Sequence, residues 1–543
     1  MPLHLPMALA TVDWLVIAGY FALMVGFAAW FARRGDRDEV GFVLANRSMP
    51  AWAVGLSMLA TAFGALDFVG NPAFAFTGDM SFLAVIFGGW ISTFIIAALL
   101  LPAFYRAKSL TIYGYLGRRF GRPARVAGGV VFLVGTLLSS GAGTFVAAIA
   151  LAAVLGGGEV RVADTLIAIV LIGGIGTLYT ALGGIRSVIW TDVLQMLIIF
   201  GGGIYTVVYL LGAIPMSFGE IWSYLAAAPP AEPGGEPVNK LSIGRLNVDL
   251  ADPYNLVTAF VGILFFLATF GTDHNFTQRL LTCRTPARAG FAVIFGYGVG
   301  IVSQVLFLSI GLLLFVFNRP EIWGGEPGPR FADAEGAYPT FLVEFLPVGM
   351  SGLALTGLFA AMMSSFDSTI ASVASSFTAD LVRPIRQMRR GEPYDPDEEA
   401  TLAAGHFSRR GTLVTTLVVG ALLTATGCLA AFAYKAARES TLLDFVLGIG
   451  SFAHGSLLGV FLCGLLTRRG NVTSVIAAML AGVATWACMQ PWVLARVTGW
   501  LTGRELELAW TWWTAVSTLV SFTVCASGRP AGAGSSGGGK LVT

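Results

Sequence analysis

Residues Gly357–Phe377, GLFAAMMSSFDSTIASVASSF, set hydroxyls and a carboxylate inside a long apolar run. On a helix, Ala361, Ser364, Ser365, Ser368 and Ser372 share one continuous face of small and hydroxylated side chains. Hydroxyl oxygens at a helix contact can replace part of the water shell of a hard cation, which takes oxygen ligands. The same face would serve close packing, each serine bonding back to the carbonyl one turn earlier. Two acids in apolar surroundings point more firmly to ions: Asp367 beside that face, and Asp192 in YTALGGIRSVIWTDVLQMLIIFGGG. A buried carboxylate in a membrane is costly and marks an ion or substrate pathway.

The chain around these residues is a membrane chain. Of 543 residues, 56% are hydrophobic and 12% charged, and mean hydropathy is +0.76. A net charge of +2 gives no support for nucleic-acid binding. The five cysteines (Cys283, Cys428, Cys463, Cys488, Cys525) are scattered, without a CxxC pair. The four histidines (His4, His274, His406, His454) have neither HExxH nor HxxxH spacing, so an enzyme reading has no nucleophile–base set or metal cluster to rest on.

Apolar runs long enough to cross about 30 Å of hydrocarbon recur near 12–32, 51–77, 80–104, 125–155, 163–182, 187–212 and 255–273. Others follow near 290–317, 347–382, 411–434, 441–467, 472–495 and 508–526, predicting an all-α polytopic membrane protein of 13 helices. The first run lacks the basic lead and cleavage site of a signal peptide and is read as a retained span. The positive-inside rule places the N-terminus outside and the C-terminus in the cytoplasm, with basic clusters at Arg106–Arg125 and Arg383–Arg410 inside. Two spans look broken. In LATAFGALDFVGNPA (Leu59–Ala73), Gly64, Gly70 and Pro72 weaken the helix around Asp67; FGTDHNFTQ (Phe270–Gln278) interrupts the seventh span. Matching interruptions opening two five-helix blocks point to an inverted-repeat transporter with a midplane site, or to glycine used only for close packing. The expected organisation is a peripheral first helix and loop (1–50), a first repeat (51–212), an extracellular loop (213–254) and a second repeat (255–467). Peripheral helices (468–526) and a flexible cytoplasmic tail (527–543) follow.

YTALGGIRSVIWTDVLQ, TDHNFTQRLLT, AAMMSSFDST and GSFAHGSLLGVFLCGLLTRR, together with NRSMPAWAVGLSMLAT, resemble the solute:sodium symporter family from about Phe42 to Arg469. The resemblance implies a LeuT-like core of two inverted five-helix repeats. It also implies one Na⁺ held by the carbonyls of Ala60, Phe63 and Ala361 and the hydroxyls of Ser364 and Ser365. A further site in some relatives corresponds to Asp192, Ser365 and Ser368, but Asp367 stands where many relatives carry serine. Two acids there would hold a cation more strongly, or one of them would carry a proton. Asp192 and Asp367 are accordingly read as an ion-coupling pair.

The solute position implied by the fold is bounded by Thr61, Gly64, Asp67, Asn71, Trp90, Asp273 and Leu447. A sugar site would lose much of its polar lining here, at Gly89 and Leu447. The fourth span, LLSSGAGTFVAAIAL, has no arginine of the kind that sialic-acid carriers use. An acid facing the cavity suits an amine, an amino acid or another zwitterion. The expected function is therefore Na⁺-coupled symport of a small organic solute by alternating access across a bacterial plasma membrane. Sugar or monocarboxylate symport, or a transporter-like sensor, are the alternatives. His274 and His454 read as core residues or as proton relays. The oligomeric state is not fixed by these residues, and a monomer suffices for such a core.

Overall fold

The computed structural model describes residues 9–33, 39–155, 162–229, 237–323, 331, 334–392, 394, 409–436, 449–503 and 506–530. The long helices are α1 (Thr11–Arg33), α2 (Ala51–Ala62), α3 (Ala65–Thr77), α4 (Phe82–Ile95), α5 (Arg122–Leu155) and α6 (Val162–Ala213). Next come α7 (Leu256–Thr272), α8 (His274–Leu280), α9 (Pro286–Phe317), α10 (Ala334–Glu344), α11 (Met350–Ser376) and α12 (Arg409–Ala436). The last are α13 (His454–Leu466), α14 (Val472–Cys488), α15 (Pro491–Thr502) and α16 (Trp510–Ser527).

Among the described residues, seven helices are long and apolar enough to cross a membrane, or up to ten if each sharply bent pair counts as one span. Val162–Gly174 and α13 are shorter apolar helices outside that count, and α16 is not in it either, so the expected thirteen is not confirmed. The stretch 441–448, expected to open the eleventh span and containing Leu447, lies outside the described residues.

Both expected breaks are present. Helix α2 starts directly after Pro50, whose ring fixes an extended entry (φ −69°, ψ 135°). It stops where Phe63 (φ −83°, ψ 88°) and Gly64 (φ −94°, ψ −172°) leave the helical region, and α3 departs at 66°. Asp67 closes this restart, its Oδ2 accepting from Gly64 N at 3.1 Å. That is a favourable place for a carboxylate, against the donor end of a helix. A Cβ at residue 64 would lie 3.3 Å from Ser365 Oγ, so glycine is what lets the break approach α11. The second break is built the same way. Asp273 is extended (φ −89°, ψ 127°), its Oδ1 accepts from Asn275 N at 2.7 Å, and α8 leaves α7 at 62°.

Helix α6 carries a third irregularity. Gly184 adopts φ 63°, a left-handed conformation that side chains resist, and makes the kink at which two helices meet within α6, between the expected fifth and sixth spans. Helix α11 packs along α6 and reaches both breaks. At its N-terminal end, Gly349 N and Gly352 N donate to Asp13 Oδ1 (2.8 and 2.7 Å), which fixes α1 to the bundle. Beyond its other end, within a π-helical turn (Phe377–Val382), Asp380 pairs with Arg125 of α5 at 2.8 Å, both buried.

Candidate ion and solute site

The hydroxyl face of α11 lies on the first break. Ser364 Oγ donates to Ala60 O at 2.6 Å and approaches Ala361 O at 3.2 Å. Ser365 Oγ donates to Thr61 O at 3.2 Å and to Ala361 O at 3.4 Å. Four of the five expected Na⁺ ligands, Ala60, Ala361, Ser364 and Ser365, are thus gathered within hydrogen-bonding reach of one another. The fifth, Phe63, is the residue at which the helix turns away, its ring packed on Phe307. The carbonyl of Thr61 is an oxygen that the sequence pattern did not single out. All these oxygens are neutral, so they can replace water around a monovalent cation without trapping it.

Asp192, Asp367 and Ser368 lie just inward of this cluster, all fully buried. Ser57 Oγ donates to Asp192 Oδ2 at 2.5 Å, and Ser368 Oγ lies 2.9 Å from Thr61 Oγ1. The centre of the group is Arg279 of α8, also 0% exposed, whose Nη2 faces Asp192 Oδ2 at 3.4 Å. Asp367 is within electrostatic reach of the same guanidinium. The sequence pattern did not single out Arg279. Its register on α8, which continues inward from the second break, turns it back into the bundle.

A cavity of about 260 Å³ opens beside the first break, with Leu59 and Phe63 in its wall. Of the residues expected around the solute, Asp67 and Asn71 line it. Thr61 instead bonds Ser57 O and Ser368, and Gly64 abuts Ser365. Trp90 is 37% exposed and stacks edge-on against Phe94. Asp273 caps α8 and faces His454 Nε2 at 3.6 Å. The cavity's remaining polar groups include Gln304 of α9, whose Nε2 donates to Asp67 Oδ1 at 3.0 Å while its Oε1 accepts from Asn71 Nδ2 at 2.5 Å. A lone glutamine in the apolar run GIVSQVLFLS was the available signal for it. Phe266, Phe270, Phe276 and Tyr297 supply an aromatic wall, and no arginine or lysine is among the lining residues. His274 is buried between Tyr113 and Phe132, with Nε2 3.3 Å from Ser375 Oγ, and does not reach the cavity.

The model of the sodium:solute symporter family matches residues 42–482. The chain belongs to that family. Among relatives of the symporter, a sodium/sialic acid symporter of Aliivibrio fischeri is 26% identical over 88% of this chain and 87% of its own length. The human sodium/iodide cotransporter is 28% identical over 86% and 68%, respectively. The mouse sodium-coupled monocarboxylate transporter 1 is 26% identical over 87% and 72%. A solved Na⁺-coupled sialic acid symporter, substrate-bound and outward-open, superposes with a TM-score of 0.75 at 21% identity, covering 95% of this chain and 97% of its own. The symporter thus has the LeuT-type fold and is a multi-pass, Na⁺-coupled membrane transporter of small solutes, not an enzyme.

The second half of the first broken helix, α3, is held by the loop after α6. Lys240, 3% exposed, donates from Nζ to the carbonyls of Phe76 (2.9 Å) and Gly78 (2.6 Å) at the end of α3, and sits over the Phe315 ring. Burial lowers its ammonium from 10.5 to about 8, with Asp79 opposing and Arg319 adding to the shift. Between those values the undocked lysine binds more protons than the docked one, so docking strengthens as pH rises from about 8 to about 10.5 and is level below about 8. The neutral amine still donates two hydrogen bonds. Tryptic cleavage at Arg245 in the same loop, normalised to a small substrate, is expected to slow across that window. Faster cleavage would contradict the assignment.

Proposed function

We propose that the symporter carries one small organic solute bearing an ammonium group, an amine or a zwitterion, in the cavity beside Asp67, with Na⁺ held by Ala60, Phe63, Ala361, Ser364 and Ser365. The observation that carries this reading is the convergence of the Ser364 and Ser365 hydroxyls on the carbonyls at the α2–α3 break. Sodium there joins α11 to the broken helix and completes the floor of the solute cavity. Each ligand then raises the other's affinity by the same factor, and rocking of the core exposes both to the opposite side. The two repeats are assigned to 51–212 and 255–467. We place the protein in a bacterial plasma membrane with its N-terminus outside.

The ammonium preference rests on charge balance. Asp192 and Asp380 each face an arginine, and Asp273 faces a histidine. Among the described residues, Asp67 is held by peptide and amide groups from Gly64, Asn71 and Gln304. A carboxylate in a low-dielectric cavity gains from a cationic ligand what no neutral amide supplies. The relatives named for sialic acid, iodide and monocarboxylates move anions, for which this lining offers no basic side chain.

A matched series on one skeleton tests the reading: phenylethylamine, phenylalanine and phenylpropionate, each as a thermal shift of the purified protein in Na⁺ and in K⁺. Stabilisation in Na⁺ by the amine or the amino acid and not by the acid is expected. Asp67→Asn should weaken it about tenfold, the loss of roughly one charge-assisted contact. Stabilisation by phenylpropionate alone would refute the charge assignment.

A further inference from the structure

Breaking a helix inside a membrane bundle leaves carbonyls with no following turn to donate to them, and each needs a donor from elsewhere. At the second break, tyrosine hydroxyls from the connection between α4 and α5 are such donors. Thr272 ends α7, and Tyr113 Oη donates to its carbonyl at 3.0 Å. Leu280 ends α8, and Tyr105 Oη lies 2.8 Å from its carbonyl and 2.7 Å from that of Cys283, sharing one proton between them. The seven residues of α8 are therefore clasped at both ends by one segment. That segment is itself anchored away from the break. Thr111 Oγ1 donates to Asp380 Oδ1 at 2.6 Å, and the helix Tyr113–Phe120 packs on α5.

The course of the chain puts this clasp on the face opposite the loop that carries Lys240. Helix α3 ends beside that loop, and α4 with its extension crosses as one span from Phe82 to Ala107. Between the second break and the far face the space is filled by rings. Tyr113 packs on Phe132 of α5 and Phe461 of α13, with ring centres 5.4 and 6.2 Å away, and His274 of α8 lies 6.0 Å from Phe132. None of these four side chains is more than 1% exposed, so the path is shut. Apolar packing is non-directional and tolerates sliding, whereas a hydroxyl–carbonyl bond is made in one geometry. The hydroxyls, more than the rings, define the closed position of α8.

We propose that Tyr113 and Tyr105 latch this face of the symporter. Their hydroxyls hold α8 over the path from the second break, and their release from Thr272, Leu280 and Cys283 opens that path to ion and solute. Nothing in the latch depends on which solute is carried. A contact made in the closed state and broken in the open one shifts the balance between them by its own free energy, so removing one hydroxyl should raise the open population roughly fivefold.

Ser375 of α11 can report on the path, because its Oγ lies 3.3 Å from His274 Nε2 and the residue is 8% exposed. In the full chain carrying Ser375→Cys, alkylation at position 375 by a water-soluble maleimide, read by mass spectrometry of that peptide, measures how often the path opens. Adding Tyr113→Phe, which keeps the ring and removes the hydroxyl, should speed labelling roughly fivefold. Tyr105→Phe should act in the same direction, and it decides the matter where Tyr113→Phe does not fold. Tyr209→Phe is the control: it removes a hydroxyl that donates to Phe345 O at 2.8 Å, away from the second break, and should leave the rate unchanged. Unchanged labelling in both latch variants would overturn the inference. An equal rise in the control would overturn it too, since the fold would then be loosened generally and no latch released.

Discussion

Ser364→Ala is expected to raise the sodium concentration for half-maximal uptake roughly thirtyfold, the equivalent of about 2 kcal/mol for one lost oxygen contact to a charged group. The hydroxyl sits 2.6 Å from Ala60 O, at the centre of the oxygens gathered by the first break. Alanine fits the space, because the face of α11 is already composed of small residues, so the loss should fall on sodium rather than on folding. Ser365→Ala should act in the same direction. Sodium dependence of uptake in proteoliposomes measures it, and an unchanged curve in both variants would remove the site from this face.

The second large effect is on stability. Arg125→Met should destabilise the folded protein by about 3–5 kcal/mol, because it leaves Asp380 buried with its charge uncompensated. Thr111 Oγ1 and Ser376 Oγ also donate to Asp380, at 2.6 and 2.7 Å, and hold the carboxylate in place after the arginine is gone. Combining Arg125→Met with Asp380→Leu should recover much of the loss, since an apolar pair of similar volume removes both charges together. Thermal unfolding in detergent reads both variants. A single variant within about 1 kcal/mol of wild type would mean that the pair is solvated in the working protein.

Much of this architecture is legible in the residues, for definable reasons. A helix can be broken only where local chemistry permits it, so Gly64 and Asp67, and later Asp273, announce the breaks. The serine face of α11 is periodic, and periodicity survives folding. What stays hidden is which way a side chain turns across a gap between distant segments. Arg279 resembles any basic residue at the inner end of a span, and only the 62° bend at Asp273 sends it inward. Thr61 lies one residue from Ala60, yet the helix turns its hydroxyl toward Ser57 and Ser368 and away from the cavity that Asp67 lines. Gln304 joins the cavity's polar wall because α9 brings it against Asp67 and Asn71. The number of spans is less legible still, because hydropathy counts apolar runs and the folded chain contains short and bent helices that no run length resolves.

The central claim is that Na⁺ binds the folded protein between the α2–α3 break and the hydroxyls of α11. Ligand linkage makes this measurable without any solute, since an ion that binds only the native state raises the unfolding temperature with its concentration. Unfolding followed across a sodium titration, at constant ionic strength with potassium as the replacement, should show a rise for the wild type and a flat line for the Ser364→Ala/Ser365→Ala double variant. An equal rise in both proteins would place the ion elsewhere.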